Sequence, residues 1–144
     1  MTEISRELVN LGRIGKLTPE SGTGGEIAGL LTSRTERLAD ARNEGLALSS
    51  RFDLAYNAAH AFSLAALRWH GYRSDNRYLV FQVLPHTLRL PATTWRMLAK
   101  AHELRNVAEY EGHFDVDATV LRNLIEAAEA VRAAVAVLPA LPEC

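Results

Sequence analysis

Residues 118–138 read ATVLRNLIEAAEAVRAAVAVL, and this stretch has the clearest helical pattern in the chain. Apolar side chains recur there at three- and four-residue steps, at Val120, Leu121, Leu124, Ile125, Ala128, Val131, Val135 and Leu138. This spacing puts them on one face of an α-helix, and that face has to pack against other elements. Pro139 and Pro142 predict the end of the helix, and Asp115 or Asp117 is expected to cap its start. The stretch therefore favours a helical bundle.

Three other segments have the same kind of pattern. They cover about residues 26–42, residues 51–70 and a segment that opens at Pro91 or Thr93 and ends before Gly112. The second is rich in alanine on one broad stripe, formed by Ala55, Ala58, Ala59, Phe62, Ala65, Ala66 and Trp69. Small side chains let a neighbouring helix approach closely, so this helix is expected to be central. Ser49 and Ser50, followed by Asp53, are expected to cap its start.

The connections complete the predicted architecture. A short helix is expected from Ile4 to Leu11, a loop over 18–25, and another short helix over 77–84 that Pro85 ends or kinks. No segment shows strand alternation. We therefore predict an all-α fold, an antiparallel up-and-down bundle of four main helices plus a short N-terminal one. The expected division is residues 1–25 as short helix and loop, 26–138 as the bundle, and 139–144 as a tail.

Composition bounds the function classes. The chain has 144 residues, a hydrophobic content of 48% and a net charge of −1, which argues against a nucleic-acid binder with a strong overall positive field. Charge is nevertheless uneven, because residues 54–105 hold seven Lys or Arg against two acids. The single cysteine, Cys144, favours a reducing cytoplasm. The N-terminus lacks the apolar core of a signal peptide, and no run of about 18 apolar residues predicts a membrane span.

Cofactor and metal signatures are weak. The stretch Gly12-Arg13-Ile14-Gly15-Lys16-Leu17 suggests a phosphate loop, but Asn10 replaces its first glycine and Leu17 its hydroxyl. The five histidines lack the i, i+4 spacing with carboxylates that bundle metal sites use. We therefore expect neither a cofactor nor a metal.

A polar group near the end of the third long helix carries the candidate chemistry. Arg105, Asn106 and Tyr110 lie within about one and a half turns, and His102 precedes Asn106 by one turn on the same face. A purely structural interpretation is open: Arg105 pairs with Glu109 on the surface, while Asn106 and Tyr110 hydrogen-bond a neighbouring helix.

Three stretches together resemble the HEPN superfamily of small helical-bundle proteins. They are Arg51-Phe52-Asp53-Leu54-Ala55-Tyr56-Asn57-Ala58-Ala59, then Gly71-Tyr72-Arg73, then Arg105-Asn106-x-x-x-Tyr110. The resemblance covers about residues 26–138 and extends to the order and spacing of the bacterial single-domain members. Many HEPN proteins are metal-independent endoribonucleases of toxin–antitoxin, abortive-infection and defence systems. The resemblance implies a homodimer in which the signature helices of two subunits form a shared cleft.

The chain departs from the family signature at its histidine. That signature is an arginine, a polar residue and then a histidine after four to six intervening residues, and Arg105 and Asn106 match its first two positions. Tyr110 follows after four residues, whereas His113 comes after seven, beyond Gly112. Tyrosine is a poor base at neutral pH, although its ring can stack on a nucleobase. By the resemblance, subfamilies without the histidine bind RNA rather than cut it.

Three hypotheses follow. In the first, the chain is a HEPN-like RNA- or nucleotide-binding protein in which Arg105 contacts phosphate, Asn106 orients it and Tyr110 stacks, with Arg73 and His102 as further candidates. In the second, it is an endoribonuclease toxin in which His102 or His113 supplies the imidazole. In the third, it is a non-catalytic bundle that binds a cognate toxin or antitoxin.

Overall fold

Four long helices build most of the fold in the computed structural model, which describes residues 5–112 and 116–142. In chain order the elements are α1 (Arg6–Arg13), β1 (Thr18–Pro19), α2 (Gly24–Ala41), α3 (Leu48–Trp69), β2 (Tyr72–Arg73), α4 (Arg77–Gln82), α5 (Leu84–Thr87), α6 (Ala92–Glu111) and α7 (Ala118–Ala136). The prediction of a mainly helical fold is confirmed. The long helices α2, α3, α6 and α7 correspond to the four segments with helical periodicity.

Helix α3 lies at the centre of the core. Its alanine-rich stripe is fully buried at Ala55, Ala58, Ala59, Ala65 and Ala66, and Phe62 is buried with them. Helices α2 and α7 pack against α3, and α6 packs against α4 and α7. The small side chains of α3 allow these close contacts, as the sequence pattern predicts.

The helix caps agree with the predictions at α7 and differ at α3. The side chain of Asp117 caps α7 by accepting a hydrogen bond from the backbone N–H of Thr119 at 2.6 Å. Helix α3 instead starts at Leu48, after Ala47, with no side-chain cap. The expected cap at Ser49 or Ser50 is therefore wrong, because both serines already lie inside the first helical turn.

Two very short strands also differ from the sequence prediction, which contained no strand. Thr18 pairs with Arg73 and Pro19 with Tyr72 in an antiparallel ladder, and the N–H of Glu20 donates to the carbonyl of Gly71 at 2.8 Å. Segments of two residues are too short to show alternation, so the pattern could not reveal them.

Buried Arg68 fastens the loop after β1 to α3. Its Nε donates to Glu26 at 2.6 Å, and its other nitrogens donate to the carbonyls of Glu20 and Ser21 at 2.8 and 3.1 Å. The hydrogen bond to the carboxylate of Glu26 raises the pKa of the guanidinium. Arg68 therefore stays charged although only 6% of it is exposed. The contact fixes the start of α2 against the C-terminal end of α3.

The segments before and after the main helices pack on them as well. Leu8 of α1 and Leu17 are buried in a second apolar cluster with Leu67, Val80 and Val83. At the other end, the indole N–H of Trp69 donates to the carbonyl of Pro139 at 2.7 Å. Pro85 falls in the first turn of α5, directly after α4 ends, where its missing N–H leaves no helical bond unmade. Within the described residues, no helix is long and apolar enough to cross a membrane.

Candidate functional site

Arg105 lies on the face of α6 that meets α3. Its Nε is 3.7 Å from a carboxylate oxygen of Asp53, and Nη1 is 3.6 Å from Glu109. Its guanidinium carbon also lies 5.1 Å from the ring centroid of buried Tyr56, a cation–π distance. The expected pairing with Glu109 is present, but the side chain is additionally held against α3. With 30% of its side chain exposed, Arg105 remains accessible to a ligand.

His102 is held between two polar side chains. Its Nδ1 lies 2.8 Å from the hydroxyl oxygen of Tyr56, and its Nε2 lies 3.3 Å from Nδ2 of Asn106. With the Asn106 amide in this orientation, Nδ2 donates to Nε2, so neutral His102 carries its proton on Nδ1 and donates it to Tyr56. Tyr56, His102, Arg105 and Asn106 are called the α6 cluster below.

The surroundings of His102 favour its neutral form. Burial lowers the pKa of the imidazole, and the charges of Arg77 and Arg105 lower it further, while Glu103 opposes them. An imidazole whose pKa lies below the ordinary value of about 6.5 is uncharged at neutral pH. His102 can therefore accept a proton or a hydrogen bond there.

Tyr110 and Asn106 share a face of α6, as the spacing predicts, but they differ in their contacts. Tyr110 is 95% exposed and makes no hydrogen bond within the part of the chain that the structure describes. The expected bond from Tyr110 to a neighbouring helix is therefore not found. Its ring is instead free to stack on a ligand or on another chain.

The other sequence candidates do not join this cluster. Arg73, in β2, forms an ion pair with Glu20 at 2.8 Å. Arg73 follows the C-terminal end of α3, whereas Arg105 contacts Asp53 near its N-terminal end. The helix rises roughly 24 Å between Asp53 and Trp69, so the two arginines lie far apart. His113 lies outside the described residues.

Arg77 of α4 is a neighbour of the cluster that the sequence reasoning missed. Its guanidinium carbon lies 5.6 Å from the Tyr56 ring centroid, and its Nη1 donates to Oδ1 of Asn57 at 3.2 Å. Arg77 and Arg105 thus approach the same aromatic ring from α4 and α6. Tyr56 and Asn57 belong to a stretch that carries the HEPN resemblance, and this resemblance was the only sign in the sequence that they could lie at the site. Nothing in the local pattern marked Arg77.

A cleft opens beside the cluster, between α2, α3 and α4. Its volume is about 380 Å³, and its lining comprises Leu30, Arg34, Arg37, Asp53, Leu54, Asn57, His60, Ala61, Leu64 and Arg77. Asp53 belongs to this lining and also pairs with Arg105, so the cleft and the α6 cluster adjoin. We call this feature the arginine cleft.

Among the residues that line the cleft, His60 has a strongly lowered pKa. Burial lowers the pKa of His60 to about 4, with further contributions from the charges of Arg77, His102 and Arg34. Its ring meets Phe81 edge-on, with the centroids 6.0 Å apart. His60 is therefore neutral at physiological pH.

No group of three or more His, Cys, Asp or Glu side chains within residues 5–112 and 116–142 could hold a metal ion. No protein-family model, curated protein or solved structure matches the chain.

Proposed function

We propose that this chain is a HEPN-like cytoplasmic protein that binds RNA or a nucleotide through the α6 cluster. The observation that carries the proposal is the convergence of Arg77 and Arg105 on the ring of Tyr56, beside neutral His102. Two guanidinium groups on one surface suit the negative backbone of RNA, because arginine recognises phosphate oxygens with several donors at once.

The neighbouring groups add contacts other than charge. Asn106 is exposed and offers an amide. Tyr110, four residues later on α6, offers an exposed ring. Base-on-aromatic stacking contributes about 1–3 kcal/mol per base in single-stranded RNA recognition. The cluster therefore fits a single-stranded segment better than a duplex, whose bases are already stacked.

Binding of a labelled single-stranded oligoribonucleotide, measured by fluorescence anisotropy at several salt concentrations, tests this proposal. Arg105→Ala is expected to weaken binding and to reduce the slope of log affinity against log salt by about 0.7, the value for one lost phosphate contact. Arg122→Ala is the matched control, because Arg122 is an exposed arginine on α7 that makes no hydrogen bond or ion pair with the cluster among the described residues. The proposal fails if the wild type does not bind at low salt, or if both variants lose the same affinity.

An endoribonuclease is the second candidate, and the hydrogen bonds of His102 favour it. Tyr56 fixes Nδ1, so Nε2 is directed towards Asn106 at the surface, next to Arg105. A ribose 2′-hydroxyl that displaced Asn106 would give its proton to Nε2 as its oxygen bonds to phosphorus, while Arg105 would stabilise the charge on the phosphorane. The P–O5′ bond would then break, and the leaving 5′-oxygen would take a proton from the imidazolium or from water. This mechanism requires no metal.

Growth and RNA integrity after controlled expression separate cleavage from binding. A nuclease would arrest growth and leave ends with 2′,3′-cyclic phosphate, and both effects would disappear in His102→Gln and in Arg105→Ala. Harmless expression together with intact RNA in vitro would leave the binding proposal standing and remove the nuclease.

A homodimer through the C-terminal half of α6 belongs to the same proposal. Val107 and Tyr110, three positions apart on one face, are 50% and 95% exposed. Exposed apolar side chains of this kind suit a contact with a second copy or with a cognate antitoxin. Solution mass of the wild type beside Tyr110→Glu is the measurement, and a wild type that is strictly monomeric when purified alone would contradict the homodimer.

A further inference from the structure

The arginine cleft holds positive charge that the protein itself leaves uncompensated. Arg34 makes no hydrogen bond or ion pair among the described residues, and its Nε is buried without a partner. Arg77 donates to neutral Asn57 and has no carboxylate within ion-pair distance in the same described part of the chain. A buried donor without an acceptor is destabilising, so a ligand that supplies the acceptor would be bound more tightly.

The acidic side chain in the lining is already engaged elsewhere. Asp53 lies between the cleft and the α6 cluster, where its Oδ1 is 3.7 Å from Nε of Arg105. Its backbone carbonyl accepts from Nδ2 of Asn57 at 2.9 Å, which orients Asn57 towards Arg77. Arg37 adds a third guanidinium at the cleft, with Asp40 at 4.0 Å. The lining thus holds three guanidinium groups, those of Arg34, Arg37 and Arg77, against the single carboxylate of Asp53, and its net charge is positive.

Part of the lining is apolar. Leu30, Leu54, Ala61 and Leu64 line the cleft together with the arginines. Its volume of about 380 Å³ falls within the range of small-molecule sites, roughly 300–1,000 Å³. A ligand that fits this lining has an anionic group with several acceptor oxygens for the arginines and a less polar body for the leucines.

We propose that the arginine cleft binds the phosphomonoester of a nucleotide, with Arg34 and Arg77 on the phosphate and the leucines against the nucleoside. A phosphomonoester carries up to two negative charges and three terminal oxygens, which match two guanidinium groups without carboxylate partners. Neutral His60 contributes a ring nitrogen for a hydrogen bond to the same ligand. This site shares Arg77 with the surface proposed to bind RNA, so Arg34 and Arg105 are the residues that distinguish the two.

Titration of the full chain with AMP and with adenosine at low salt tests the proposal. Calorimetry is expected to show saturable AMP binding and at least about tenfold weaker adenosine binding, which corresponds to about 1.4 kcal/mol for the phosphate. In parallel, the NMR signal of the His60 ring should shift with AMP while that of exposed His86 does not.

The variants separate this site from the α6 cluster. Arg34→Gln is expected to weaken AMP binding about tenfold or more while leaving the melting temperature close to that of the wild type, because Arg34 makes no hydrogen bond within the described chain. Arg105→Ala should keep AMP affinity, and Arg34→Gln should keep the salt-dependent RNA binding of the α6 cluster. Loss of AMP binding in Arg105→Ala but not in Arg34→Gln would overturn the assignment.

Two further outcomes would also overturn it: no saturation with AMP, or equal affinity for AMP and adenosine. A pair of oligoribonucleotides with a 5′-phosphate or a 5′-hydroxyl then identifies the source of the phosphomonoester. A gain in affinity from the 5′-phosphate that Arg34→Gln abolishes assigns the cleft to an RNA end. Equal affinity of the two oligonucleotides, with AMP bound, assigns it to a free nucleotide.

Discussion

The hydroxyl oxygen of Tyr56 lies 2.8 Å from Nδ1 of His102, although the two residues are 46 positions apart in the sequence. Tyr56 is fully buried in α3, and His102 lies on α6, so this contact joins the two helices at the candidate site. Asn106 meets the other ring nitrogen one turn later. The imidazole is consequently held at both ring nitrogens. Arg105 lies on α6 as well, and it contacts Asp53 of α3.

Removing this hydroxyl should loosen α6 from α3. Tyr56→Phe is expected to lower the free energy of unfolding by about 1 kcal/mol, because Nδ1 of His102 loses its partner. Chemical denaturation measures the change, and the NMR signal of the His102 ring reports its altered environment. Tyr78→Phe is the control, since the Tyr78 hydroxyl has no hydrogen bond among the described residues. Equal effects of the two substitutions would show that the bond to His102 does not stabilise the fold.

Stability should fall as the solution is acidified below pH 6.5. The pKa of His60 is about 4 in the folded chain. As the pH falls, the unfolded chain therefore binds a proton first, and this proton stabilises it relative to the folded chain. The loss should therefore develop between pH 6.5 and pH 4, with a size of about 1–3 kcal/mol. Unfolding free energies measured across this range should flatten in His60→Gln, leaving the smaller dependence due to His102, whose pKa is also lowered. A slope that is identical in wild type and variant would contradict the burial of His60.

Neutralising Asp53 should strengthen RNA binding by the α6 cluster. Its carboxylate lies 3.7 Å from Nε of Arg105 and competes with a phosphate for that guanidinium. Asp53→Asn is expected to raise affinity about threefold at low salt, in line with the small free energy of an exposed ion pair. Glu126→Gln, which removes one exposed negative charge from α7, corrects for the change in net charge. Unchanged affinity in Asp53→Asn would show that Arg105 does not contact the RNA.

Two glycines of α2 should respond oppositely to alanine. Gly29 is exposed inside the helix, with no atom within 4 Å of an added Cβ, so Gly29→Ala should stabilise the chain by about 0.5–1 kcal/mol. An added Cβ at Gly24 would clash with the backbone carbonyl of Leu141, so Gly24→Ala should lower stability. Thermal unfolding should separate the two variants by several degrees, about 2–4 °C per kcal/mol for a chain of this size. A stabilised Gly24→Ala would mean that the segment around Leu141 does not rest on α2 in solution.

Periodicity predicted the long helices well and the tertiary contacts poorly. The positions of α2, α3, α6 and α7 follow from apolar spacing, and Gly112 and Asp117 mark the end of α6 and the start of α7. Helices α2 and α3 nevertheless begin two and three residues earlier than predicted, at Gly24 and Leu48. The bond from Asn106 to His102 and the pairing of Arg105 with Glu109 also follow from spacing, because residues four apart share a helix face. Tyr56 and Arg77 reach the site through the packing of α3 and α4 against α6, which no single helix pattern specifies.

The cap of α3 and the strand pair show why local signals have limits. Ser49 and Ser50 are good capping residues, yet the helix begins earlier, at exposed Leu48, without a side-chain cap. The arginine cleft was missed for the same reason as Arg77. Arg34 occupies the polar side of α2 in the sequence, and only the approach of α3 and α4 leaves its Nε buried.

The short ladder between β1 and β2 has a consequence for the order of folding. By pairing Thr18 with Arg73 it closes a loop around α2 and α3, so contacts inside this loop form at a modest cost in chain entropy. Arg34, Asn57 and His60 lie within the loop, whereas His102 and Arg105 lie outside it, on α6. Native-state hydrogen exchange should therefore find α6 opening before α3, which would dismantle the α6 cluster and leave the arginine cleft assembled.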